Sequence, residues 1–158
     1  MAAADSAPNI HVRVQTEDFD LSTELKAVHG SDKQVGAVAS FVGTVRDANE
    51  GTGVSTMTLE HYPGMTEKAL QQICEQAFDR FDLRGARVVH RVGPLEPLDQ
   101  IVLVIVTSRH RGESFKGCEF IMDFLKTEAP FWKKESTPDG SRWVSARDSD
   151  DAAAKRWS

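Results

Sequence analysis

Ile101-Val102-Leu103-Val104-Ile105-Val106 is an unbroken apolar run between Gln100 and Thr107. A strand with one wet face alternates apolar and polar side chains, so a continuous branched run predicts a central strand buried on both faces. On its C-terminal side, Glu113 to Lys126 has helical spacing, with Phe115, Cys118, Ile121, Met122 and Leu125 expected to face inward. Pro130 then forbids further helix and pushes Ala129 out of α geometry. Phe131 to Glu135 and Arg142 to Ala146 read as a hairpin around Pro138-Asp139-Gly140. Beyond it lies a charged tail ending in Trp157, which cannot form a core of its own and is expected to dock on a neighbouring subunit.

On its N-terminal side, Ala86 to Val92 is a predicted strand. Pro63 to Phe81 has the clearest helical period, with Met65, Ala69, Ile73, Ala77 and Phe81 at steps of four and Gly85 placed to close it. Val35 to Val45 reads as a strand whose small residues Gly36, Ala37, Ala39 and Gly43 point to close packing or a bulge. A polar turn over 47–53 leads to a strand through Val54, Met57 and Leu59, and the two are expected to pair as a hairpin. Asp20 to His29 reads as a short helix stopped by Gly30, preceded by a half-buried strand over Asn9 to Gln15. Residues 1–8 are expected to be disordered, and 9–158 to form one α+β domain with a mixed or antiparallel sheet.

Composition narrows the function. The 158 residues are 40% hydrophobic and carry a formal net charge of -5, which supports a real core and argues against general nucleic-acid binding through a basic surface. No apolar run approaches the ~20 residues of a membrane span, and a cytoplasmic protein is expected. Cys74 and Cys118 both fall in apolar helical patterns, the setting of buried free thiols rather than of metal ligands or a disulfide.

Positive charge is nevertheless concentrated at the ends of elements. Arg46 follows one strand; Arg109, His110 and Arg111 follow the apolar strand; Lys126 ends a helix; Lys133 and Lys134 open the last hairpin. If these ends converge they form a cationic cleft for an anion, arginine offering a two-pronged fork and lysine a mobile charge or a proton. The ordinary reading of Arg46 and Arg111 is surface solubility, and that of Lys126 and Lys133 is two surface lysines flanking a core Phe-Trp pair. His61 and His90, at strand ends, read as structural, whereas His110 between two arginines suits a proton donor or phosphate ligand. No phosphate loop, nucleophile elbow, dinucleotide fingerprint or paired zinc histidines is present.

Read together, Phe41-Val42-Gly43-Thr44-Val45-Arg46, Leu59-Glu60-His61-Tyr62-Pro63-Gly64-Met65, Ser108-Arg109-His110-Arg111 and the stretch from Lys126 to Glu135 closely resemble the family of molybdopterin synthase large, catalytic subunits. The match is collinear from about Ile10 to Trp157. It implies an α+β fold, described as an α/β hammerhead with an added antiparallel subdomain. It also implies sulfur transfer from the C-terminal thiocarboxylate of a small ubiquitin-like subunit to cyclic pyranopterin monophosphate, giving the dithiolene of molybdopterin. The resembling proteins form a central homodimer within a heterotetramer, and need no metal or redox cofactor for this step.

Carried across by motif, the resemblance makes Lys126 the key lysine and Lys133 the second lysine of the pocket. Substrate-binding positions fall on Arg46, His110, Arg111, Lys134 and Glu135. Arg147 resembles an arginine that reaches the neighbouring subunit's pocket. Thr44 departs from the lysine often found there, so no side-chain role is assigned to it. Two other classes of function are open to these residues: a non-catalytic anion- or partner-binding domain of the same fold, and an acyl-transfer enzyme using Lys126 as nucleophile.

Overall fold

A computed structural model describes residues 8–46, 56–137, 140–144 and 148–157. Along them run β1 (Ile10–Gln15), α1 (Leu21–His29), β2 (Ala37–Thr44), β3 (Thr56–His61), α2 (Met65–Arg80), β4 (Leu83–Arg91), β5 (Gly93–Leu95), β6 (Gln100–Ser108), α3 (Arg111–Glu128), β7 (Phe131–Thr137), β8 (Gly140–Val144) and α4 (Asp148–Lys155). The strands form two four-stranded sheets, ordered β1-β4-β6-β2 and β5-β3-β7-β8. Among the described residues only the β1–β4 pairing is parallel. In place of the one mixed or antiparallel sheet expected, there are two, one mixed and one antiparallel.

The apolar run occupies the interior position its composition demands: β6 lies between β4 and β2, with Leu103 to Val106 wholly buried. Because successive side chains point to opposite faces, Val104 and Val106 meet α2 and α3 through Leu70, Ile73, Phe120 and Ile121, while Leu103 and Ile105 meet Val28 under α1. A smaller core of Val45, Met57, Leu59 and Leu95 underlies the second sheet. Ile101 and Phe131 pack against this core and against the main one, so they join the two sheets. Cys74 and Cys118 are buried free thiols, and burial, with Glu75 and Glu119 nearby, pushes them up to about 12 and about 11.

Several expectations need correction. The strand before the polar turn does not pair with the strand after it: β2 takes the open edge of β6, and β3 pairs with β5 and β7. A fully apolar strand needs neighbours on both edges, and that non-local demand overrides the hairpin. Gly85 does not close α2, which ends at Phe81; it lies within β4 beside a register shift, where a Cβ would stand 2.8 Å from Asn9 and 3.0 Å from Thr107. Met65 and Phe115, placed on inward faces by period, are 66% and 63% exposed.

The tail forms α4 and docks on its own chain. Trp157 sits edge-on to Phe81 and Phe120, its indole N–H donates to Asp123 at 2.7 Å, and Arg80 donates to its carbonyl at 2.8 Å. A neighbouring subunit is not needed to cover this tryptophan. Elsewhere the expectations hold: Asp20 caps α1 by accepting from the Ser22 N–H, Gly30 ends it at φ 49°, and β7 pairs with β8 as the last hairpin, with 138–139 of its turn outside the described residues. Residues 1–7 and the turn over 47–53 lie outside the described residues. No helix among the described residues is long and apolar enough to cross a membrane.

Candidate active site

The site begins where β2 leaves its sheet. Gly43 can lie over Val102 only because it lacks a Cβ, which would stand 2.9 Å from the valine Cγ1, and the register shifts between Gly43 and Thr44. The expected bulge is therefore here. Val45 is then clamped by two backbone bonds of 2.8 Å, donating to the Asp99 carbonyl and accepting from the Leu98 N–H. This fixes the next residue, Arg46, at the rim of an open cleft of about 750 Å³. Phe41, Val45, Pro97, Leu98 and Ile101 supply apolar wall, and Lys126 enters from α3.

Lys126 reaches that cleft because its helix has the right length and orientation. After the turn at Ser108-Arg109-His110, α3 runs back across the sheet, burying Phe120, Ile121, Met122 and Leu125, so the exposed position after Leu125 meets the end of β2. In the last turn a cation also complements the helix dipole. Ala129 is extended (φ -78°, ψ 135°) before Pro130, and the chain passes directly into β7.

On β7, Phe131 pairs with His61 and Lys133 with Leu59 across β3. Phe131 stacks on His90 with ring centroids 3.8 Å apart and planes 17° apart. His90 is buried, and desolvation drives its ionisation down to about 3, opposed by its bond to the Arg91 carbonyl and reinforced by the charges of Lys126, His61 and Lys133. Both lysines therefore bear on one neutral imidazole. Beside it, His61 has a buried Nδ1 without a hydrogen-bond partner among the described residues, and Tyr62 packs on Trp132 at 4.8 Å.

The basic groups do not all converge within one chain. Arg46 and Lys126 share the cleft and Lys133 lies close by, but His110 and Arg111 are at the opposite end of α3. Fifteen residues of helix separate Arg111 from Lys126, roughly 22 Å at 1.5 Å per residue. Lys134 and Glu135 continue β7 through Thr58 and Met57, and Arg147 lies outside the described residues. Among the described residues no three His, Cys, Asp or Glu side chains are gathered to hold a metal ion.

His90 is, as expected, a packed histidine of a strand, but its stack on Phe131 could not be read locally, since nothing in sequence links β4 to β7. The apolar wall went unnoticed because Pro97 and Leu98, the latter 85% exposed at φ 76°, sit in a loop that periodicity does not describe.

Comparison with known proteins places these residues in context. The family model described as "MoaE protein" matches residues 14–128. The molybdopterin synthase catalytic subunit of Ralstonia nicotianae is 63% identical over 146 residues, covering 92% of this chain and 83% of the relative. Among solved structures, the molybdopterin biosynthesis MoaE protein from Burkholderia ambifaria is 56% identical with a TM-score of 0.82, covering 94% of this chain and 97% of that one. A protein–protein complex of subunits 1 and 2 of molybdopterin-converting factor from Helicobacter pylori matches with a TM-score of 0.71 over 86% of this chain and 91% of that one. At 19% identity it bears on the fold alone.

Proposed function

The chain belongs to the MoaE protein family, and on that premise we propose that it is the catalytic subunit of a molybdopterin synthase. It transfers sulfur from the C-terminal thiocarboxylate of a small ubiquitin-like subunit to cyclic pyranopterin monophosphate. The observation that carries the site assignment is the cleft that holds Arg46 and Lys126 together against an apolar wall. The finer fold description goes with this reading, the first sheet and its helices being the hammerhead and the second sheet the added subdomain of one domain spanning 9–158.

The chemistry suits these residue types. Two anions, a phosphate and a thiocarboxylate, must meet, and their repulsion is costly unless fixed cations screen it. Arg46 and Lys133 bind phosphate oxygens, with Lys134 and Glu135 extending the substrate surface along β7. Lys126 faces the acyl carbon of the donor, where it stabilises charge developing on the carbonyl oxygen or moves a proton as the carboxylate product leaves. Once substrate and donor tail cover the cleft, the apolar wall leaves these charges less screened than in open water.

The distance along α3 supports a pocket shared by two chains. His110 and Arg111 serve as substrate ligands near Lys126 only if they come from a second copy, together with Arg147. The assembly is then a homodimer with a small subunit on each protomer. Mixing the protein with thiocarboxylated small subunit and cyclic pyranopterin monophosphate should yield the dithiolene. A stable complex that makes none would leave a binding domain without turnover.

A further inference from the structure

Phe131 joins the two sheets, and His90 is the surface on which it rests. The imidazole is 5% exposed in β4, where its backbone pairs with Val14 on one side and Val102 on the other. Its Nδ1 lies 2.8 Å from the Arg91 carbonyl. A carbonyl oxygen only accepts, so Nδ1 carries the proton, Nε2 keeps the lone pair and the ring cannot flip without losing the bond. That gives Phe131 a fixed, uncharged platform. A protonated ring there would instead repel both lysines.

Phe131 is well placed to act on the site. It lies between Lys126 and Lys133 in sequence, with only Ala129-Pro130 separating α3 from β7, and proline allows little rotation. A shift of the Phe131 ring is therefore passed to one lysine through the short turn and to the other along the strand. We propose that His90 is a positioning residue of this site, its ring fixing Phe131 and thereby the spacing of Lys126 from Lys133. The kinetic consequence rests on the sulfur-transfer reading, whereas the geometric one can be measured on the protein alone.

The test uses substitutions that divide the two properties of the imidazole. His90→Asn keeps a donor for the Arg91 carbonyl but loses the ring; His90→Phe keeps a ring and loses the donor. Trace acetylation of the folded protein, read by mass spectrometry, reports the relative reactivity of Lys126 and Lys133. His90→Asn should change that ratio severalfold and lower kcat by about tenfold to a hundredfold, the scale of an ångström-sized misplacement. His90→Phe should restore most of both. Phe131→Leu removes the partner ring and should reproduce the asparagine signature, which keeps the test decisive if His90→Asn does not fold.

A wild-type labelling ratio and kcat in folded His90→Asn or Phe131→Leu would reduce the stack to ordinary core packing and overturn the proposal. So would a His90→Phe protein as impaired as the asparagine variant. If the labelling ratio responds as described while the wild-type protein makes no dithiolene, the sulfur-transfer reading falls and the positioning role stands.

Discussion

The two ends of α3 carry similar charges in opposite settings. At the start, His110 occupies the cap position with no side-chain capping bond, and Arg111 places a cation at the end of a helix where the dipole disfavours one. Both side chains are exposed. At the finish, Lys126 complements the dipole, shares a cleft with Arg46 and bears on the buried His90. Lys126 is exposed too, so the difference lies in what surrounds each charge, an apolar wall and a second cation at one end and neither at the other. By itself, then, one chain offers a cleft with two cations at one end of α3 and, at the other, an exposed arginine beside an exposed histidine.

The sharpest way to break this comparison is Lys126→Ala. Turnover should fall on the order of 10²- to 10³-fold, the effect of removing one donor to a developing oxyanion, with stability within about 0.5 kcal/mol of wild type. An active, stable variant would remove Lys126 from the chemistry. Mixing Lys126→Ala with Arg147→Ala chains then asks whether the pocket around Lys126 is completed by a second chain. In a heterodimer one pocket carries both defects and the other neither, so activity should exceed that of either variant alone. No recovery after confirmed subunit exchange would confine each pocket to one chain.

The middle of α3 provides a control on stability. Phe120, wholly buried under Trp157 and Phe81, should cost about 3 to 5 kcal/mol on replacement by alanine. Phe115→Ala should stay within about 0.5 kcal/mol, since this ring is 63% exposed. Denaturant midpoints measure both, and equal losses would mean that Phe115 is covered in solution.

Smaller effects sharpen the site end. Arg46→Ala and Lys133→Ala should each weaken substrate binding by about 1.5 to 3 kcal/mol, the range for hydrogen bonds to charged groups, with kcat less affected. Full affinity in both by titration would misplace the phosphate. His90 adds a pH signature whose sign follows from its depressed ionisation. The folded ring stays neutral down to about 3, while the unfolded chain takes up the proton near 6.5, so stability is complete above 6.5 and falls as pH drops toward 3. The slope contributed is about 1.4 kcal/mol per pH unit, and His90→Phe should remove it from denaturation curves measured at several pH values.

Where pattern and environment coincide, the chain can be read directly. Six apolar residues read as an interior strand, Pro130 separates helix from strand, and Lys126 is presented at the helix end by following the buried Leu125. The long strings around His61 to Met65 and from Ala129 to Lys133 carried the family resemblance because they combine a left-handed glycine at φ 85°, a proline and packed aromatics within a few residues. Such local constraints leave a visible mark on sequence.

Other features were decided only in three dimensions. The β2–β6 pairing, the exposed faces of Met65 and Phe115 and the docking of Trp157 on its own α3 each depend on what happens to lie opposite, often tens of residues away in sequence. His90 is the clearest case. Its sequence neighbours describe a strand end, whereas its role depends on Phe131, 41 positions later, brought into contact by the joining of two sheets. Period and composition report which side chains seek burial; the partner each finds is set by the packing of the whole chain, where that demand is satisfied at lowest free energy.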